Sequence, residues 1–132
     1  MALTLVIGNK NYSSWSMRPW LMLKGAGLAF EEINIPLYTG AADKQRILDY
    51  APSGKVPILV DDGVTIWDSL AIMEYLGDRF PDAGVWPADR AVRAHARSIS
   101  SDRMNNDASP WIASRMSRSY ASGIGFCLYD SL

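Results

Sequence analysis

The stretch KVPILVDDGVTIWDSLAIMEYLGDRF, residues 55–80, decides the fold. Ile58–Val60 and Val64–Trp67 are short apolar and β-branched runs flanking Asp61-Asp62-Gly63, a strong hairpin signal. Asp68 to Phe80 places Leu70, Ile72, Met73 and Leu76 at the spacing of one helical face, which predicts an amphipathic helix. Ahead of the first strand stands Val56-Pro57. An X–Pro bond adopts the cis form at a cost of only about 0.5–1 kcal/mol, so a cis peptide is expected here. It would turn the N–H and C=O of Val56 outward, where an extended peptide can pair with them. The plainer reading is that Pro57 merely starts a strand.

Working outward, Leu3-Thr4-Leu5-Val6-Ile7 reads as a buried strand ended by Gly8 and a polar loop, Asn9 to Ser16. Arg18 to Lys24 reads as a short helix, with Pro19 tolerable only in its first turn. Gly25 and Gly27 close it, and Phe30 to Pro36 gives a second strand. A β-α-β unit requires a parallel strand pair joined by a crossover. Asp43 to Asp49 adds a shorter helix. The order over residues 1–80 is therefore β-α-β-α-β-β-α, an α/β domain. Residues 81–87, Pro81 to Pro87, form a linker, and a further helix runs from Ala88 to Ser100 within a segment 88–101. From 102 to 132 the pattern decays into serine-rich sequence with no lasting amphipathic period, so this tail is expected to pack poorly. The change near Ser101 is what a truncated or frameshifted reading frame produces.

The 132 residues are 48% hydrophobic and 20% charged, enough for an ordinary buried core. Lys+Arg 13 against Asp+Glu 14 gives a net charge of −1, which argues against nucleic acid or a membrane surface as a partner recognised through bulk charge. One cysteine, Cys127, excludes an internal disulfide, a Cys-x-x-Cys redox pair and a cysteine-rich zinc site. One histidine, His95, cannot build a histidine-rich metal centre, and no metal is expected. No run of about 18 apolar residues suits a membrane span, and Leu3–Ile7 is too short for a signal-peptide core. A cytoplasmic protein is expected.

Chemistry-bearing residues cluster at two loops besides Val56-Pro57. Tyr12 to Pro19 sets Ser13, Ser14 and Ser16 before a helix N-terminus, where N–H groups and the helix dipole favour an anion. The same serines also serve as ordinary caps. A nucleophilic serine is disfavoured, because the single histidine lies in another helix and no Gly-x-Ser-x-Gly elbow is present. Trp67-Asp68-Ser69 opens the clearest helix: Asp68 is a good N-cap, and Ser69 with the first N–H groups would receive a carboxylate. Gly25-Ala26-Gly27 follows a helix and fits turn geometry better than a dinucleotide fingerprint. His95 reads as a surface residue and Cys127 as an incidental thiol.

Three strings in this order, Ser13-Ser14-Trp15-Ser16-Met17-Arg18, Pro52-Ser53-Gly54-Lys55-Val56-Pro57 and Asp68-Ser69-Leu70-Ala71-Ile72-Met73-Glu74-Tyr75-Leu76, closely resemble the N-terminal domain of the glutathione S-transferase family, a thioredoxin-like fold. The Ser-Ser-x-Ser-x-Arg form is most similar to the serine-type classes, particularly zeta and its bacterial relatives. The resemblance covers Thr4 to about Ser100. It implies that glutathione is the co-substrate, with its thiolate near Ser14 or Ser13, its cysteinyl backbone on Val56-Pro57 and its γ-glutamyl end on Asp68-Ser69. Lys55 stands where zeta relatives often carry glutamine, and Trp15 where they commonly have cysteine.

Family members run to roughly twice this length, their second half being a helical bundle of which only the first helix, in 88–101, is recognisable here. The implied activity is conjugation of glutathione to a small electrophile. The alternatives are a glutathione-binding or vestigial module without turnover, and a zeta-like glutathione-dependent isomerase. A homodimer is expected of the family. Ser13, Ser14, Val56, Asp68 and Ser69 are expected to converge on one cleft at the C-terminal ends of the parallel strands. Ser14 is preferred over Ser13 as the thiolate's partner, because it lies closer to a helix start at Ser16–Arg18.

Overall fold

Strand β1 (Leu3–Ile7) is apolar along its whole length except Thr4 because both of its faces are covered. The computed structural model of the protein describes residues 2–10 and 13–101. After β1 come α1 (Ser14–Gly25), β2 (Phe30–Asn34), α2 (Ala41–Tyr50), β3 (Ile58–Asp61), β4 (Val64–Trp67), α3 (Ser69–Arg79), a 3-10 turn at Pro81–Ala83 and α4 (Arg90–Ser101). The strands form one sheet in the order β2-β1-β3-β4. β1 and β2 are parallel, as the β-α-β reading requires, and β3 runs antiparallel to both β1 and β4.

Alternation along β1 sends Leu3, Leu5 and Ile7 to one face, where they pack with Trp20, Leu21 and Leu23 of α1 and Ile72, Met73 and Leu76 of α3. Val6 points the other way, into a smaller cluster with Ile35, Ile58 and Ile47 of α2. The register Val6↔Ile58↔Trp67 then decides where the loops go. The residue after β1, the residue before β3 and the residue after β4 all emerge at the same sheet edge.

Several boundaries differ from those expected. Helix α1 begins at Ser14, not Arg18, because Ser13 caps it: the Ser16 N–H donates to Ser13 Oγ at 3.2 Å. Pro19 consequently lies inside the helix, fully buried, and not in its first turn. β2 stops at Asn34 instead of Pro36 because its partner β1 ends at Ile7. α2 is longer than 43–49 by two residues before and one after. α4 starts at Arg90, since the Asp89 carboxylate takes the Val92 N–H at 2.9 Å. Asp61 belongs to β3, buried, with Tyr75 Oη donating to it at 2.8 Å and Arg79 Nε at 3.3 Å. The turn itself is Asp62-Gly63, with φ of 47° and 83°, the two positive values a tight hairpin demands.

α4 is held by polar groups as well as by Ala96, which is buried. Arg97 forks onto Glu74 of α3 at 2.6 and 3.1 Å, and Arg18 of α1 donates to the Ser100 carbonyl. Among the described residues no helix is long and apolar enough to cross a membrane. Residues 102–132, with Cys127 and the tail expected to pack poorly, lie outside the described residues.

Candidate functional site

At the edge where β1 ends, a cavity of about 470 Å³ opens between the start of α1, the segment linking β2 to α2, and the segment before β3. That volume is in the range of small-molecule pockets. Ser13, Trp15, Lys44, Lys55 and Val56 contribute to its wall. The Val56–Pro57 bond is cis, as expected.

Gly8 allows this convergence. A Cβ there would sit 2.5 Å from Leu37 Cδ1 and 3.1 Å from Val56 Cγ2, so a side chain would force the two walls apart. Asn9 ties the walls together: the Leu37 N–H donates to its side-chain oxygen at 2.6 Å, while the Ser13 N–H donates to its carbonyl at 3.0 Å.

The serine loop closes on itself. Ser13 Oγ donates to Ser16 Oγ at 2.6 Å, and the Gly8 N–H donates to the same Ser16 oxygen at 3.2 Å. The first turn of α1 carries no acidic residue, so the positive end of the helix dipole is left for an incoming anion. Ser14 opens α1, but its side chain lies outside the described part of the structure. The expectation that α1 starts at Ser16–Arg18, the ground for preferring Ser14, does not hold.

Charges flank the cavity. Lys44 Nζ donates to the Gly54 carbonyl at 2.5 Å, and Lys55 is exposed. The hydrogen bond from Thr39, followed by that from Arg46, holds the Asp43 carboxyl below its ordinary pKa. Trp15 is 39% exposed and faces the buried Arg18 guanidinium at 4.1 Å from its ring centre.

Asp68 and Ser69 emerge at the same sheet edge but lie outside the lining of this cavity. Asp68 caps α3, its Oδ1 accepting from the N–H groups of Leu70 at 2.9 Å and Ala71 at 3.3 Å. Ser69 is buried. Ser13, Lys55 and Val56 thus line one cavity, whereas the Asp68-Ser69 pair follows β4 at the same end of the sheet without lining it. Sequence reading weighed Ser16 only as a cap and passed over Asn9. The spacing Ser13-x-x-Ser16 was the available signal for the first; nothing local marks the second.

A mixed four-stranded sheet, helices on both faces and a cis proline before β3 define a thioredoxin-like domain. A family model described as glutathione S-transferase, N-terminal domain, matches residues 12–79. The chain belongs to the glutathione S-transferase family. It is 38% identical over 87 residues to a probable maleylacetoacetate isomerase of Caenorhabditis elegans, covering 66% of this chain and 39% of that protein. It is 38% identical over 97 residues to glutathione S-transferase Z2 of Arabidopsis thaliana, covering 68% of this chain and 44% of that protein. Among solved structures, a glutathione transferase homolog from Burkholderia gl BGR1 with bound glutathione superposes with a TM-score of 0.65 at 35% identity, over 79% of this chain and 56% of that one. The chain therefore spans about two fifths of these two curated relatives.

Proposed function

We propose that this chain binds glutathione in the cavity at the start of α1 and serves a glutathione transferase reaction, in which the sulfur attacks a small electrophile. The observation that carries this reading is the meeting of Ser13, Lys55 and the cis Val56–Pro57 bond around a helix N-terminus, in a chain of this family. Ser13 is put first as the thiolate's partner, since it is among the residues that line the cavity, and Ser14 second. Lys55 and Val56-Pro57 would hold the glycyl end and cysteinyl backbone; Asp68 and Ser69 would hold the γ-glutamyl end.

A thiol of this type has a pKa of about 8.5, so little of it is ionised at neutral pH. A hydrogen bond to a charged group contributes about 1.5–3 kcal/mol, and about 1.4 kcal/mol moves a pKa by one unit. One serine hydroxyl and the helix N-terminus are together sufficient to bring the thiol near neutrality. The serine stabilises the charge and is not itself the nucleophile.

A zeta-like isomerisation is the second reading, favoured by the relatives that carry the name maleylacetoacetate isomerase. Trp15 in place of the usual zeta cysteine weighs against any step needing a thiol at that position. A homodimer and a cytoplasmic location belong to the same proposal. The test is retention on immobilised glutathione followed by a conjugation assay with a generic aromatic electrophile. Retention with turnover is expected; retention without turnover would leave a binding module, and no retention would refute the reading.

A further inference from the structure

Ser16 is fully buried, at 0% exposure, yet its hydroxyl sits directly behind the residue proposed to face the sulfur. Each oxygen of the Ser13–Ser16 pair already accepts one backbone N–H: Ser13 Oγ from Ser16 and Ser16 Oγ from Gly8, both at 3.2 Å. The two oxygens lie 2.6 Å apart and own two hydroxyl protons between them. One proton fills the gap between the oxygens, and the other is free to be donated away from the pair. The heavy-atom positions are compatible with either direction, so the available acceptor sets the choice. With an anion in the cavity, the lower-energy direction has Ser16 donating to Ser13, because this leaves the Ser13 proton for the anion.

We propose that Ser16 is a positioning residue for the glutathione site: when a thiolate binds, the Ser16 hydroxyl donates to Ser13 Oγ and the Ser13 hydroxyl donates to the sulfur. Neither serine loses its proton, and the thiol's own proton leaves to water. The chain of two hydroxyls strengthens the outer bond, since a hydroxyl that accepts a hydrogen bond becomes a better donor. It also fixes the direction of the Ser13 proton. The inference rests on the reading of the cavity as a glutathione site and adds a residue to it.

The test is ultraviolet titration of the thiolate of bound glutathione in the full chain, beside the affinity for S-methylglutathione, which has no thiol to ionise. Ser13→Ala is expected to raise the bound thiol's pKa by about one unit or more, and Ser16→Ala by about half a unit. Ser16→Thr, which restores a hydroxyl, is expected to return the value toward that of the parent chain. Affinity for the S-methyl analogue stays within about twofold in Ser16→Ala, whereas a merely structural role would weaken it together with the thiol's ionisation. If Ser16→Ala does not fold, Ser16→Cys gives the same reading, because a thiol is a weak donor. Ser16→Ala, or Ser16→Cys in its place, titrating like the parent while Ser13→Ala shifts would overturn the inference alone. A parent chain that binds no glutathione would overturn the site reading and the inference with it.

Discussion

Asp68 adopts φ 77° while its Oδ1 holds two N–H groups of the first turn of α3, so its backbone and side chain serve the helix start together. Non-glycine residues pay about 1–3 kcal/mol for such backbone regions, and Asn tolerates them better than most. Asp68→Asn therefore separates the cap from the charge. The unfolding free energy is expected to change by less than about 0.5 kcal/mol, whereas glutathione affinity falls about tenfold through loss of the carboxylate's charge-assisted contact. Calorimetric titration beside chemical denaturation reads both quantities; unchanged affinity would reduce Asp68 to a cap. At the serine loop, alanine at Ser13 should shift the thiolate titration more than alanine at Ser14. If both variants titrate like the parent, the helix N-terminus alone must account for any activation. The residue types at these positions were legible in the sequence, since Ser, Asp and Val-Pro each have local signatures. What was not legible was where α1 begins, because Ser13 caps it and so moved the start by four residues.

Helix α1 also shows how an element is fixed from outside itself. Pro19 misled the reading of its start because a buried proline inside a helix loses one backbone bond, yet here it packs within the core face. At the other end of the helix-to-helix contact, the buried Arg18 guanidinium donates to the Ser100 carbonyl in the last turn of α4, a position that favours a cation. Arg18→Met keeps much of the volume and removes the charge. Its expected cost is about 1.5–3 kcal/mol, with faster hydrogen exchange confined to α4; protection in α4 equal to that of the parent would contradict this docking. Glu32 of β2 has Lys10 Nζ at 2.9 Å, and Trp20 Nε1 donates to the same carboxylate at 2.8 Å. Partial burial raises the pKa of Glu32, but the hydrogen bonds from Lys10 and Trp20 outweigh it and hold the group below its ordinary 4.5. A depressed carboxyl pKa contributes stability that is present above the ordinary value and lost as pH falls through the lowered one. Glu32→Gln should therefore flatten part of the acid limb of a stability–pH curve and leave its slope above pH ~6 unchanged. An acid limb identical to the parent's would show that the Lys10–Glu32–Trp20 cluster has no such linkage. None of these three partners is near another in sequence, which is why no local pattern announced them.

Across the molecule, the two core clusters lie on opposite sheet faces, and the register Val6↔Ile58↔Trp67 brings the loops of the proposed glutathione site to one end of the sheet. The order of elements was legible because each strand and helix carries its own period and breakers. The parallel β1–β2 pair and the β3–β4 hairpin were legible, but the order β2-β1-β3-β4 was not, since that pairing is set by contacts far apart in the chain. The opposite end of the sheet holds Asp61, Tyr75 and Arg79, a polar cluster around the buried Asp61 in which the bond to Asp61 first, and desolvation second, raise the Tyr75 pKa. That end offers a natural control for the site. The central claim is that glutathione occupies the edge where β1 ends and β3 begins. Amide chemical-shift mapping of the full chain during a glutathione titration tests it most directly. Saturable shifts are expected at Ser13, Ser16, Lys55, Val56 and Ser69, with Asp61, Tyr75 and Arg79 unmoved. Saturable shifts centred on Asp61 and Tyr75, or none anywhere at millimolar glutathione, would contradict the account.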